Sequence, residues 1–173
     1  MAARAPLPRS LEPLPDESLP GFLLRLAHRL DLAPQQLARR VKLITPEDPH
    51  ARVSAANLLM MPSDRLHAFA EAVRMTPADA DALTLSSYAD RYPALAQALA
   101  RPGSIPRPRK LAQPWILMNH SRYCPACLAG DGTPVQNRYG GPWKRQWRLA
   151  VVFACLDHEP FSVPSARAAG CPR

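Results

Sequence analysis

Residues 122–132 read Arg-Tyr-Cys-Pro-Ala-Cys-Leu-Ala-Gly-Asp-Gly, and residues 155–158 read Cys-Leu-Asp-His. Each stretch carries two metal-binding side chains separated by two residues, Cys124 with Cys127 and Cys155 with His158. At that spacing one tight turn aims both donors at a single ion, and two such turns complete a tetrahedron. The reading predicts a small zinc-ribbon or knuckle module over residues 121–160, built around one structural Zn2+. Four protein ligands fill zinc's shell and leave no place for a catalytic water, so the ion holds the fold. A redox C-x-x-C fits less well, because no βαβ pattern surrounds it and a second knuckle answers the first. His120 and Cys171 are rival ligands by residue type, but neither has the knuckle spacing.

Between the two turns, Gly140-Gly-Pro supplies a reversal, and Trp147–Phe153 has the β-branched and aromatic content of a strand. Trp143, Lys144, Arg145 and Arg148 form an aromatic and basic strip of the kind that stacks on bases or clamps phosphates. Trp147 is expected to pack over the metal, since so small a module has little other core. Residues 101–148 hold nine of the chain's 22 bases and one of its 14 acids, so the whole formal charge of +8 sits there. Arg107, Arg109 and Lys110 lie in a Pro-rich basic linker, residues 105–120, and Arg122 opens the module. Such a block is the footprint of a nucleic-acid or acidic-partner surface, or else a solvated linker; charge alone leaves both readings standing.

Upstream, residues 1–15 are Pro-rich and aperiodic and read as an extended arm, and residues 16–104 read as a helical domain. Ser18 is placed to cap a helix with Pro20 in its first turn, and Leu19, Phe22, Leu23, Leu26 and Leu30 recur at helical spacing. A break at Asp31-Leu-Ala33 and then Pro34 start a second helix, giving a helix-turn-helix-like pair whose polar face carries Gln35, Gln36, Arg39 and Arg40. Helical hairpins that never touch DNA share this pattern. Residues 54–60, 63–75 and 76–88 read as further helices, with Ser63 and Thr76 as N-caps. His28, His50 and His67 stand apart from cysteines and carboxylates and receive no role. The fold class is therefore mainly α, in keeping with a composition that is 47% hydrophobic but 6% aromatic.

Two of these stretches resemble the TniQ family of transposition target-selection proteins, and the resemblance runs from Leu14 to His158. Pro15-Asp-Glu-Ser-Leu-Pro-Gly-Phe-Leu-Leu-Arg25-Leu-Ala27 is similar to the family's opening P-x-E-S-L stretch with its following Arg-Leu-Ala; residues 122–132, Trp147-Arg-Leu149 and Cys155-x-x-His158 are similar to its zinc motif. The resemblance implies a non-catalytic adaptor that helps select a target through DNA or an RNA-guided effector complex. It also implies recruitment of an AAA+ ATPase transposition regulator, which brings the transposase. Family members continue beyond the histidine with a second C-x-x-C pair, whereas here residues 161–173 hold only Cys171, which implies a truncated or divergent tail.

The alternative from another class is a zinc-containing helix-turn-helix transcription regulator acting through Gln35, Gln36, Arg39 and Arg40. An enzyme is not expected, because the acids form no cluster legible in sequence and the metal position is closed. With no long apolar run and no signal-peptide core, the chain is expected to be cytoplasmic, with neither membrane nor small-molecule substrate as a partner.

Overall fold

In the computed structural model, which describes residues 6–8, 10–44, 53, 55–99, 117–118, 120–158 and 163–164, the chain is mainly helical. Ser18 lies in extended backbone and its hydroxyl accepts from the Gly21 amide at 3.3 Å, so helix α1 runs over Leu19–Arg29. Pro20 sits where no amide is needed, and His28 and Arg29 meet the negative end of the helix dipole. Asp31, at φ 53°, turns the chain into α2, Pro34–Arg40. That helix starts without a capping hydroxyl, but the Gln36 side chain accepts from the Ala33 amide at 3.3 Å.

Then follow α3 (Ala55–Leu59), α4 (Ser63–Val73), α5 (Pro77–Ala82), a 3-10 turn (Ser86–Tyr88) and α6 (Pro93–Leu99). The first core joins Leu19, Phe22 and Leu26 of α1 to Leu37 of α2 and Phe69 and Val73 of α4. Phe22 meets Phe69 edge-on at 6.3 Å. Removing each such side chain from water contributes about 1.5–3 kcal/mol. Leu7, from the Pro-rich arm, is buried in the same core, and its amide donates to the Ala72 carbonyl at 2.9 Å. The arm is thus laid along α4.

The C-terminal third adds β1 (Arg122–Tyr123), α7 (Pro125–Ala129), α8 (Pro134–Tyr139), a 3-10 turn (Arg145–Arg148) and β2 (Val163–Pro164). The two strands pair antiparallel, Tyr123 opposite Val163. A second core, made of Ala56, Leu59, Leu85 and Leu95 from the helical part with Leu117 and Leu149 from the C-terminal part, belongs to both. The backbone joins them as well. Glu17 and Lys144 form an antiparallel bridge, Ser18 N donates to Trp143 O at 2.7 Å, and Arg145 N donates to Asp16 O at 2.9 Å. Gly21 permits this approach, since a Cβ there would meet the Trp143 Cβ at 2.8 Å.

Several expectations are corrected. Trp147–Phe153 is not a strand: Trp147 N and Leu149 N turn back to the carbonyls of Lys144 and Gln146, and only Leu149 bridges, to Leu117. The Arg122 guanidinium donates to the carbonyls of Ala150 and Val152, taking acceptors that a neighbouring strand would need. Residues 76–88 are not one helix. Thr76 does cap α5, accepting from Asp79 N at 3.1 Å, but the Thr84 hydroxyl donates to Asp81 O and the Ser86 hydroxyl to Asp81 Oδ2, both at 2.8 Å, and this local network ends the helix. Ser63 is the first helical residue of α4 and Pro62 holds the cap position. Helices α6, α7 and α8 were absent from the sequence reading; each opens with proline at its first position. The loop from Thr45, most of the basic linker, and Cys171 lie outside the described residues.

Candidate metal centre

Cys124 is the N-cap of α7 and Cys127 its third residue, so one helical turn puts both thiols on one side, with Leu128 N closing the turn onto Cys124 O at 3.1 Å. The second pair sits on the turn at residues 155–158. All four donors converge within 4.8 Å of one another. The Nδ1 of His158 lies 3.7, 3.3 and 3.5 Å from the sulfurs of Cys124, Cys127 and Cys155, and the sulfurs of Cys127 and Cys155 are 3.6 Å apart. Zn–S bonds of about 2.3 Å and a Zn–N bond of about 2.0–2.1 Å require tetrahedral edges of about 3.5–3.8 Å. These four separations lie close to those edges, and the cluster can hold a metal ion.

The surroundings hold those donors in place. All three cysteines are buried, and Trp147, 1% exposed, packs with them; Trp143 meets the Trp147 ring edge-on at 5.9 Å and the Tyr123 ring at 6.0 Å. Burial pushes the Cys127 thiol up to about 12, helped by the neighbouring Cys155. Burial also acts to raise Cys124, but hydrogen bonds from the backbone of Cys127, from Cys155 and from the backbone of Ala126 outweigh it and bring that thiol below its ordinary value.

Gly141 closes the first knuckle from behind, its amide donating to Leu128 O at 2.9 Å. A Cβ on this residue would land inside the Cys127 carbonyl oxygen, a backbone atom that cannot step aside without moving a ligand. Gly141→Ala is therefore expected to cost about 1–3 kcal/mol or more as an overpacked site, with a matching loss of bound metal per chain. An unchanged denaturation midpoint and full metal content would show that the close approach is not maintained in solution.

The basic and aromatic strip has partners inside the chain. Lys144 forms an ion pair with Asp157, between the two ligands of the second knuckle. Arg145 pairs with Asp16 at 3.2 Å, donates to the Ala82 carbonyl and stacks over Tyr88 at 5.1 Å. Arg148 donates to Met118 O at 2.8 Å, Arg122 to the carbonyls already described, and Trp143 is half-buried. Of these, Arg145 ties the C-terminal part to the helical core, while Lys144, Arg148 and Arg122 hold partners within the C-terminal part. Gln35, Gln36, Arg39 and Arg40, by contrast, all lie exposed on α2 while Leu37 and Ala38 are buried. Arg107, Arg109 and Lys110 lie outside the described residues.

One pair escaped the sequence reading. Glu17 and Arg25 form a two-pronged buried ion pair, Nε to Oε1 and Nη2 to Oε2 each at 2.6 Å. Nη2 also donates to Glu12 O at 2.9 Å, and Oε2 accepts from Leu14 N at 3.1 Å. The available signal was an arginine set among the apolar positions of an amphipathic helix; a buried cation needs a partner, and Glu17 is two residues upstream of the helix start.

Fold and site together define a helical protein with a Cys3His cluster, able to hold a metal ion, in a C-terminal part packed against its core. The TniQ family model matches residues 8–160, and the chain belongs to the TniQ family, which is associated with transposition and DNA and whose domain is in general an adaptor rather than a catalyst. No curated protein and no solved structure gives a significant match. Among the described residues no helix is long and apolar enough to cross a membrane.

Proposed function

We propose that this protein is a non-catalytic transposition adaptor that helps select the target site and recruits an AAA+ ATPase regulator, and through it the transposase. One structural zinc ion on Cys124, Cys127, Cys155 and His158 would fix the C-terminal third. The observation that carries the reading is the joining of the two family motifs. Glu17, from the first, bridges Lys144, whose side chain reaches Asp157 inside the second. The motifs thus form one docked unit, as expected of a rigid adaptor. An RNA-guided effector complex is a further partner that the family reading allows, and the cytoplasm is the compartment where these partners meet. The test is a pulldown with the cognate AAA+ regulator, with and without duplex DNA. Retention of the regulator is expected; no association under either condition would remove the recruiting role.

A second reading, a free-standing transcription regulator, is favoured by the exposure of Gln35, Gln36, Arg39 and Arg40 on α2. Sequence-specific duplex binding that is lost on substituting these four, together with indifference to any ATPase, would select it over the adaptor.

A further inference from the structure

Lys144, Arg145 and Arg148 each have a partner within the chain, and charge is distributed unevenly over the described helical residues. Residues 28–44 carry Arg29, Arg39, Arg40 and Lys42 against the single acid Asp31. All four bases are exposed, and none takes part in an ion pair among the described residues. Residues 62–92, spanning α4 and α5, hold five acids against three bases. The exposed α1–α2 segment is therefore net basic and the α4–α5 segment net acidic, a contrast that the field of a polyanion acts on.

The metal module reaches onto the basic segment. Tyr139, the last residue of α8, meets the exposed His28 ring of α1 edge-on at 5.5 Å and 86°. The Arg138 guanidinium lies over the same Tyr139 ring at 5.4 Å. The stack runs from α1 through Tyr139 to Arg138; Arg29 follows His28 in the chain at the end of α1, and Arg138, His28 and Arg29 are all exposed. A guanidinium laid on an aromatic face keeps its outer N–H groups free and loses less freedom when it grips an anion. No hydrogen bond inside the described chain uses the Arg138 side chain. We infer that Arg29 and Arg138, with Arg138 held on the Tyr139–His28 stack, form a two-point clamp for the phosphate backbone of duplex DNA. The clamp is contributed jointly by α1 and the metal module. It rests on the DNA-contact part of the adaptor reading and gives that contact a place outside the residues to which the sequence assigned it.

The test is a salt titration of binding to a labelled DNA duplex with two charge-matched double variants. R29E/R138E removes the clamp; R74E/R91E makes the same charge change in the acidic segment, where both arginines are exposed. Each phosphate contact contributes about 0.9 to the slope of log K against log salt. The clamp variant is expected to flatten that slope by about 1.8 and weaken binding roughly tenfold or more, while the control keeps the wild-type slope. R29A/R138A, a milder change, should give the same flattening without reversed charge. Metal content and melting temperature, measured on each variant, separate loss of contact from loss of fold. Equal slopes for the two double variants, flattened or not, would overturn the clamp while leaving DNA binding intact. A wild-type protein that binds no duplex at any salt would remove the DNA contact itself. Tighter binding to single-stranded RNA of equal phosphate number would overturn the choice of DNA.

Discussion

Cys127→Ser is expected to release the metal and unfold residues 122–158, with Trp147 passing from buried to solvent-exposed. Three of the four donors are buried and, with Trp147, they are the centre of the module's small core. Without the ion the same space holds thiols alone. Structural zinc sites in small modules contribute apparent binding energies of about 10–16 kcal/mol, strongly dependent on pH, far more than such a core supplies. A chelator should produce the same red shift in tryptophan fluorescence, and elemental analysis of the purified protein should find one zinc per chain. The pH dependence has a definite sign. With the Cys127 thiol pushed up to about 12 in the metal-free chain, the metal must displace its proton at any pH below that value. Apparent affinity should therefore strengthen as pH rises, by about tenfold per unit for that one proton, and weaken in acid. Protein purified without divalent metal, or fluorescence indifferent to chelation, would remove the zinc from the account.

The second large effect is expected at Glu17→Ala. The Arg25 side chain is 5% exposed and Glu17 0%, so removing the carboxylate leaves a guanidinium buried with only the Glu12 carbonyl to meet it. Breaking one side of such a pair costs about 3–5 kcal/mol. For a chain of this size each kcal/mol lowers Tm by roughly 2–4 °C, so a fall of about 6–20 °C should be seen. The double change Glu17→Ala with Arg25→Met should recover much of that loss, because no charge is then stranded. A single variant that melts within about 2 °C of the native protein would mean that water reaches the pair. In that case the pair is not what holds the start of α1.

The metal cluster was legible because its chemistry is local. A C-x2-C turn and a C-x2-H turn identify themselves by spacing, and the structure brings the same four residues together. The α1–α2 pair was legible for a similar reason: Ser18, Pro20 and the Leu19-to-Leu30 stripe carry cap, first turn and core face in adjacent positions. What sequence reading missed was decided at a distance. Trp147–Phe153 has strand-like residues, yet Arg122, some 30 positions away, takes the Val152 carbonyl, and burial of Trp147 against the cysteines bends the chain into a 3-10 turn. Lys144, Arg145 and Arg148 read as a basic surface because charge says nothing about partners; Asp157, Asp16 and the Met118 carbonyl supply them. Glu17 and Arg25 both stand in the opening P-x-E-S-L stretch with its following Arg-Leu-Ala, but no spacing rule reveals a pairing eight residues apart across a helix start.

The pairing of residues 16–18 with residues 143–145 has a consequence for the order of assembly. Asp16 and Arg145 stand 129 positions apart, so this joint cannot close while the ribosome is still making the middle of the chain. At about 5–20 residues per second the front end of α1 waits roughly 6–25 s for its cover. Throughout that interval the Ser18 amide and the bare Gly21 face look outward, and the nascent helical part carries an unsealed edge. The four-donor cluster likewise cannot assemble before Cys155 and His158 are made, and a ribosome stalled before Cys155 would leave that edge open for the cell's quality control to find.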